Sequence, residues 1–304
     1  MFKAAGNVEE IVQPVVDRLA GVDEVVAILC FGSYALNTYD QHSDIDLYVV
    51  CDPAIIAEAT RRDIFEKLPA VSEVQLNYST PGWDDQWSLQ PDKFKLNQAV
   101  FDISYNTKAW ISTVVDKVTA EGATSIPELP FRPYALLGLL ANAIPLYDSQ
   151  GFIQEINSKL YPYPPRLKDH LIQENLPILL DRLNEIQDGA VREIGNTAFL
   201  FHLWQACDAF ISILFALNEQ YDPASKRPER EFKKFKIAPD NLAARYEKVL
   251  EGPFDRVEKQ QRVVVLHKVV PSRGIAKSHP PCGIASGAHI NSRGWSRAFR
   301  RETG

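Results

Sequence analysis

Apolar residues recur at Val8, Ile11, Val12, Val15, Val16 and Leu19, the spacing of one helix face, and Gly21 closes that helix. Val25 to Phe31 is a nearly continuous apolar run, the pattern of a strand covered on both faces. Asp44 to Val50 then alternates as a second strand, and Ile55 to Leu68 predicts a helix stopped by Pro69. Val71 to Tyr78 alternates again, with Val74, Leu76 and Tyr78 on one side. Thr80 to Lys95, rich in Pro, Gly, Asp and Trp, reads as a long loop. Ala99 to Tyr105 predicts another strand, and Lys108 to Ala120 a helix. This order of elements makes a small α/β unit whose sheet is expected to be mixed rather than wholly parallel.

From about Pro127 the strand signals stop. Helices are expected over Pro133–Ala143, Gln150–Leu160, Leu167–Gln187, Asn196–Glu219 and Asn241–Leu250, separated by proline-containing breaks. Ala198–Leu217 is apolar almost all round, which places it at the centre of a bundle. Beyond residue 255, Gly, Ser, Arg, His and Pro mix without periodicity, and five of the 15 glycines fall between Gly274 and Gly304. The division is therefore an α/β domain over 1–125, a helical bundle domain over 126–255, and a basic tail over 256–304 that reads as disordered.

Charge sharpens this division. The chain holds 33 Lys and Arg against 39 Asp and Glu, a balance of −6. Ten of the basic residues and two of the acidic ones lie from Arg256 onward, so residues 1–255 carry −14. An acidic body of that size argues against broad nucleic-acid binding, which needs a cationic footprint on the phosphates. No run of 18 consecutive apolar residues occurs, so no membrane partner is expected. The four cysteines, Cys30, Cys51, Cys207 and Cys282, form no paired motif of the kind that binds zinc. Three lie in apolar surroundings, as buried thiols of a cytoplasmic protein would.

The segment richest in candidate chemistry is Phe31-Gly32-Ser33-Tyr34 followed, after a polar loop, by Asp44-Ile45-Asp46-Leu47-Tyr48-Val49-Val50. Strand side chains alternate, so Asp44 and Asp46 share one face while Ile45 and Leu47 point into the core. Two carboxylates about 7 Å apart on one strand face repel unless a hard divalent cation joins them. Gly32, ending a buried strand without a side chain, lets backbone amides approach a phosphate, and Ser33 adds a hydroxyl. A two-metal phosphoryl-transfer site needs a further carboxylate. Asp102, in the middle of Val100-Phe101-Asp102-Ile103-Ser104-Tyr105, is the best placed; Asp84 and Asp85 lie in the loop.

Gly32-Ser33, Asp44-x-Asp46 and the later strand residue Asp102 together resemble the signature of the nucleotidyltransferase superfamily that shares the DNA polymerase β palm. With a helical C-terminal domain, the arrangement is similar to aminoglycoside and lincosamide nucleotidyltransferases. Leu217-Asn218-Glu219-Gln220-Tyr221-Asp222-Pro223, with Lys226 soon after, looks like the helix-end motif of such proteins. The resemblance implies an α/β (α+β) nucleotidyltransferase palm with a mixed sheet followed by an all-α bundle. It also implies that Asp44, Asp46 and Asp102 are the catalytic carboxylates and hold Mg2+, two ions in all. Gly32, Ser33 and Lys226 would then hold the triphosphate of ATP or another nucleoside triphosphate. The implied reaction transfers a nucleoside monophosphate to a hydroxyl of a small-molecule acceptor and releases pyrophosphate. The negative body suits a cationic acceptor, such as an aminoglycoside. Protein adenylylation at the same site, and a non-catalytic nucleotide-binding regulator, are the alternatives.

Several residues carry two readings. Lys226, Arg227, Lys233, Lys234 and Lys236 form a basic cluster that could face nucleotide phosphates or simply be a solvated face. His202 and Asp208 sit on the apolar helix, where hydrogen-bonded core roles compete with catalysis. Tyr221 is a cleft or packing residue. Trp83, Trp87 and Tyr105 are candidates for stacking platforms in an acceptor pocket, or for packing.

Overall fold

Strand β1 (Val25–Phe31) is the buried spine of the α/β half, and its apolar run leaves only Phe31 partly exposed. The computed structural model describes residues 8–78, 88, 90–129, 131–192, 194–224 and 226–251. Trp83, Asp84, Asp85, Trp87, Cys282 and the tail over 256–304 lie outside the described residues.

Helix α1 (Val8–Ala20) buries Val12, Val15, Val16 and Leu19 as its periodicity predicts. The chain then runs through β1, a single helical turn α2 (Gly32–Ala35), β2 (Ile45–Cys51), helix α3 (Glu58–Glu66), β3 (Val71–Gln75), β4 (Asp92–Leu96) and β5 (Ala99–Thr107). Helix α4 (Lys108–Glu121) follows at once, the Thr107 side chain accepting from the Trp110 amide at its start. The helices α5 (Pro133–Asn142), α6 (Phe152–Leu160), α7 (Pro165–Arg192) and α8 (Asn196–Leu217) come next, with strand β6 (Ile144–Asp148) between α5 and α6. A short turn of helix, α9 (Pro228–Glu231), continues as a 3-10 turn over Phe232–Lys234 and leads to α10 (Leu242–Leu250).

The strands form one six-stranded sheet in the order β3-β4-β5-β2-β1-β6. Only β2 and β5 run parallel; every other neighbouring pair is antiparallel. The sheet is mixed, as expected, and a run of helices follows it along the chain. Two expectations are corrected here. The segment Thr80–Lys95 is not loop throughout, because its last residues enter β4. Strand signals do not end at Pro127 either, because β6 returns from the helical half to pair with β1.

The two faces of the sheet bury different things. Ile45, Leu47, Val49 and Cys51 of β2 pack with Phe101, Ile103 and Tyr105 of β5, Phe94 and Leu96 of β4, and the apolar faces of α1 and α3. Tyr48 and Val50 point the other way, into a core continuous with α4, α5, α6, α7, α8 and α10. Residues 8–251 accordingly belong to one compact unit. Helix α8 is long and apolar enough to cross a membrane by length and composition, but most of its apolar window is buried inside the protein. Phe199, Phe210, Ile213 and Leu214 are buried along it, but Leu200, Phe201 and Trp204 are exposed, so the first half of α8 lies at the surface and not at the centre of a bundle as its all-round apolar sequence predicts. Cys30, Cys51 and Cys207 are buried free thiols. Burial pushes the Cys51 thiol up to about 11 and those of Cys30 and Cys207 up to about 12, so they stay protonated near neutral pH.

Candidate active site

Alternation along β2 decides where its carboxylate points. Asp46 shares a face with Tyr48 and Val50, so it looks toward the helical half rather than into the α1–α3 core. In the parallel ladder Asp46 is the register partner of Asp102 on β5. Asp102 in turn stands opposite Lys93 in the antiparallel pairing of β5 with β4. Asp44 lies just before β2, not within it. Three adjacent strands thus bring Asp44, Asp46, Asp102 and Lys93 to one face at one end of the sheet.

The lysine is bound closely into this group. Lys93 Nζ donates to Asp44 Oδ2 at 3.1 Å and stands 3.8 Å from Asp102 Oδ2. Burial works against its ammonium, but the hydrogen bond and charge of Asp44, with Asp102 beyond, outweigh burial and raise its pKa. Burial is also the main influence on Asp46, whose carboxyl is pushed up to about 7 with added repulsion from Asp102 and Asp44. The positive charges of Lys226 and Lys93 oppose that rise. Among the described residues, no group of three or more His, Cys, Asp or Glu side chains is close-set enough to grip a metal ion as it stands.

Gly32 explains how Asp46 fits beneath the turn after β1. Its φ is +66°, in the left-handed region, and a Cβ there would stand 2.1 Å from Asp46 Oδ2. The backbone and the carboxylate therefore share a cradle that a side chain would fill. Gly32→Ala is expected to lower stability by roughly 1–3 kcal/mol through backbone strain alone, and to displace the Asp46 carboxylate as well. A urea melt unchanged from the wild type would show that this cradle relaxes freely. Ser33 follows on α2, where its carbonyl accepts from the Thr38 amide at 2.9 Å and ties down the loop toward Asp44.

The helical half reaches this loop through one short stretch. At α5, a Cβ on Gly138 would meet the Asp222 carbonyl at 1.8 Å, so the absent side chain lets the Tyr221–Asp222 backbone lie against the helix. Asn142 Nδ2 donates to the Tyr221 carbonyl at 3.4 Å nearby. The chain then passes to Lys226, which is exposed and close enough for its charge to act on Asp46. Arg227 goes further, donating to the Thr38 carbonyl at 3.1 Å and to Asp40 Oδ2 at 3.3 Å. Asp40 also accepts from the His42 amide, so Arg227 clasps the loop between Ser33 and Asp44 at its tightest turn.

Residues 13–79 match the family model described as Polymerase beta, Nucleotidyltransferase. Over this segment the chain resembles a nucleotidyltransferase domain of the polymerase β type. The match takes in Gly32, Ser33, Asp44 and Asp46 and stops before Lys93, Asp102 and Lys226. The chain is similar to a solved nucleotidyltransferase-like protein from Exiguobacterium sibiricum 255-15, at 11% identity and a TM-score of 0.37. That similarity covers 85% of this chain and 73% of the other. No curated protein matches the sequence.

Other candidates are taken up by packing or by ion pairs. Tyr105 is fully buried on the opposite side of the sheet, against Arg61 and Asp92, so it is no stacking platform for an acceptor. Tyr221 is buried against Tyr161 and Tyr163, and its hydroxyl donates to the Leu160 carbonyl at 2.8 Å, which is a packing role. Asp208 makes a two-pronged ion pair with Arg132, and His202 pairs with Arg182. Lys234 pairs with Glu231. Neither Lys93 nor the Arg227 clasp is legible in the sequence, since both arise from contacts between distant segments.

Proposed function

We propose that the protein transfers a nucleoside monophosphate from a nucleoside triphosphate to a hydroxyl of a small-molecule acceptor, with Mg2+ and with release of pyrophosphate. The observation that carries this reading is the register of Asp46 beside Asp102 on parallel strands, with Asp44 one step away. The donor types suit hard divalent cations: three carboxylates, one of them desolvated, with Gly32 letting the backbone lie close against the Asp46 carboxylate. Asp44, Asp46 and Asp102 would hold the metal, which supplies charge neutralisation at the transferring phosphorus.

The chain's own groups account for the remaining needs. The backbone at Gly32 and Ser33 would receive the triphosphate, and Lys226, entering from the helical half, would add a positive charge to it. Asp102 would accept the proton of the acceptor hydroxyl as it attacks. The charge of −14 over residues 1–255 favours a cationic acceptor, of which an aminoglycoside is one.

The test incubates purified protein and Mg2+ with each labelled nucleoside triphosphate, a panel of aminoglycosides and other small hydroxyl acceptors, and a cell extract. Pyrophosphate release with a nucleoside-monophosphate mass gain on a small molecule is the expected result. Label on protein instead would assign adenylylation to the site. Absence of turnover, with wild type and Asp44→Asn alike, would leave nucleotide binding without catalysis.

A further inference from the structure

Strand β4 reads Asp92-Lys93-Phe94-Lys95-Leu96, and its alternation is strict: Asp92, Phe94 and Leu96 are buried, and the two lysines face the other side. That side is the one carrying Asp102 and Asp46. The cross-strand position of Lys93 is fixed twice, by its pairing with Asp102 and by the burial of its neighbour Asp92 against Arg61. Its ammonium is accordingly not a free surface charge that happens to lie near an acid. It spans Asp44 and Asp102, while the Tyr78 ring lies 5.9 Å away.

We propose that Lys93 is a built-in competitor of the divalent cation, holding the carboxylates in the metal-free protein and giving them up when metal enters. This rests on the metal reading of the cluster given above. A cation that takes Asp44 and Asp102 as ligands must break the Lys93 contacts and then sit beside a like charge, both of which oppose binding. In return, Lys93 relieves the mutual repulsion of the carboxylates when no metal is present. Lys93 is thus a positioning residue that sets the metal concentration at which the site loads.

The experiment compares Mn2+ binding to the full-length wild type, Lys93→Met and Lys93→Arg by calorimetry, without nucleotide and at one pH. Removing a half-exposed charge that touches two carboxylates should tighten Mn2+ binding about tenfold in Lys93→Met. Lys93→Arg, which keeps the charge, should stay near the wild type. In EDTA, Lys93→Met should melt below the wild type, and saturating Mn2+ should close that gap. Lys93→Gln gives the same comparison if the methionine variant does not fold. Equal or weaker Mn2+ binding by the neutral variants overturns the competition while leaving the metal site standing. No Mn2+ binding by any of the proteins overturns the metal reading and the competition with it.

Discussion

Asp46→Asn is expected to reduce nucleotide transfer by roughly 10^3-fold or more, and to make the metal-free protein more stable at pH 8. On the proposed metal-dependent reaction, the first effect follows from the loss of one of three carboxylates that would hold the metal, where several kcal/mol of charge stabilisation at the reacting phosphorus is at stake. The second follows from where Asp46 sits. Burial, then Asp102, then Asp44 raise its carboxyl from 3.8 to about 7. An acid whose folded pKa lies above its unfolded one stabilises the fold fully below the unfolded value, and that contribution is lost as pH rises through the folded one. The window is therefore about pH 4 to 7, and above it the ionised Asp46 is a burden on the fold. The distance from 3.8 to about 7 bounds the burden near 4 kcal/mol, and screening of the partly exposed side chain brings it to about 2 kcal/mol. Melts in EDTA at pH 5 and pH 8 check it. The wild type should lose more stability between them than Asp46→Asn does. Parallel losses would show that Asp46 is not held neutral.

What the sequence revealed of this site followed the range of the interactions involved. Strands β1 and β2 announce themselves by apolar runs, and Gly32-Ser33 and Asp44-x-Asp46 lie within 15 residues of each other along the chain. Asp102 was legible because a carboxylate amid Val100, Phe101 and Ile103 demands a partner. β4 was not, although its residues alternate. One of its inward positions is Asp92, a charge that counts as core only because Arg61 lies 31 residues away in sequence and 2.6 Å away in space. β6 was hidden by Pro145, which a sheet tolerates at its edge, where β6 lies. Lys93 and Arg227 belong to the same class. Each lies close to predicted site residues only after the sheet register, or the path over α5, has been set. The division near residue 125 marks a change from strands to helices, but one apolar core runs through both sides of it.

Arg61→Met is expected to destabilise the protein by about 3–5 kcal/mol, the largest effect of any single substitution considered outside the carboxylate cluster. Arg61 is fully buried, as is Asp92, its ion-pair partner. The guanidinium also donates to the Ile56 carbonyl at 3.1 Å, the Gln90 carbonyl at 2.9 Å and Asn77 Oδ1 at 2.8 Å. These bonds gather the end of the α3 approach, the turn after β3 and the entry to β4 around one cation. Methionine preserves much of the volume and none of the hydrogen bonds, so the cost lies in stranding acceptors rather than in opening a cavity. Asp92 would bear most of it. Burial already raises its pKa despite Arg61, and its second oxygen lies beside the Tyr105 hydroxyl without reaching hydrogen-bond geometry. The double variant Arg61→Met with Asp92→Asn should recover a large part of the loss, because the uncompensated charge is then gone. Urea denaturation of the wild type, both single variants and the double variant measures the coupling. Additive losses would show that the two side chains do not act as a pair. The strong coupling expected would also explain why Lys93, one residue from Asp92, is presented so consistently to the carboxylates: the strand that carries it is pinned from the opposite face of the sheet.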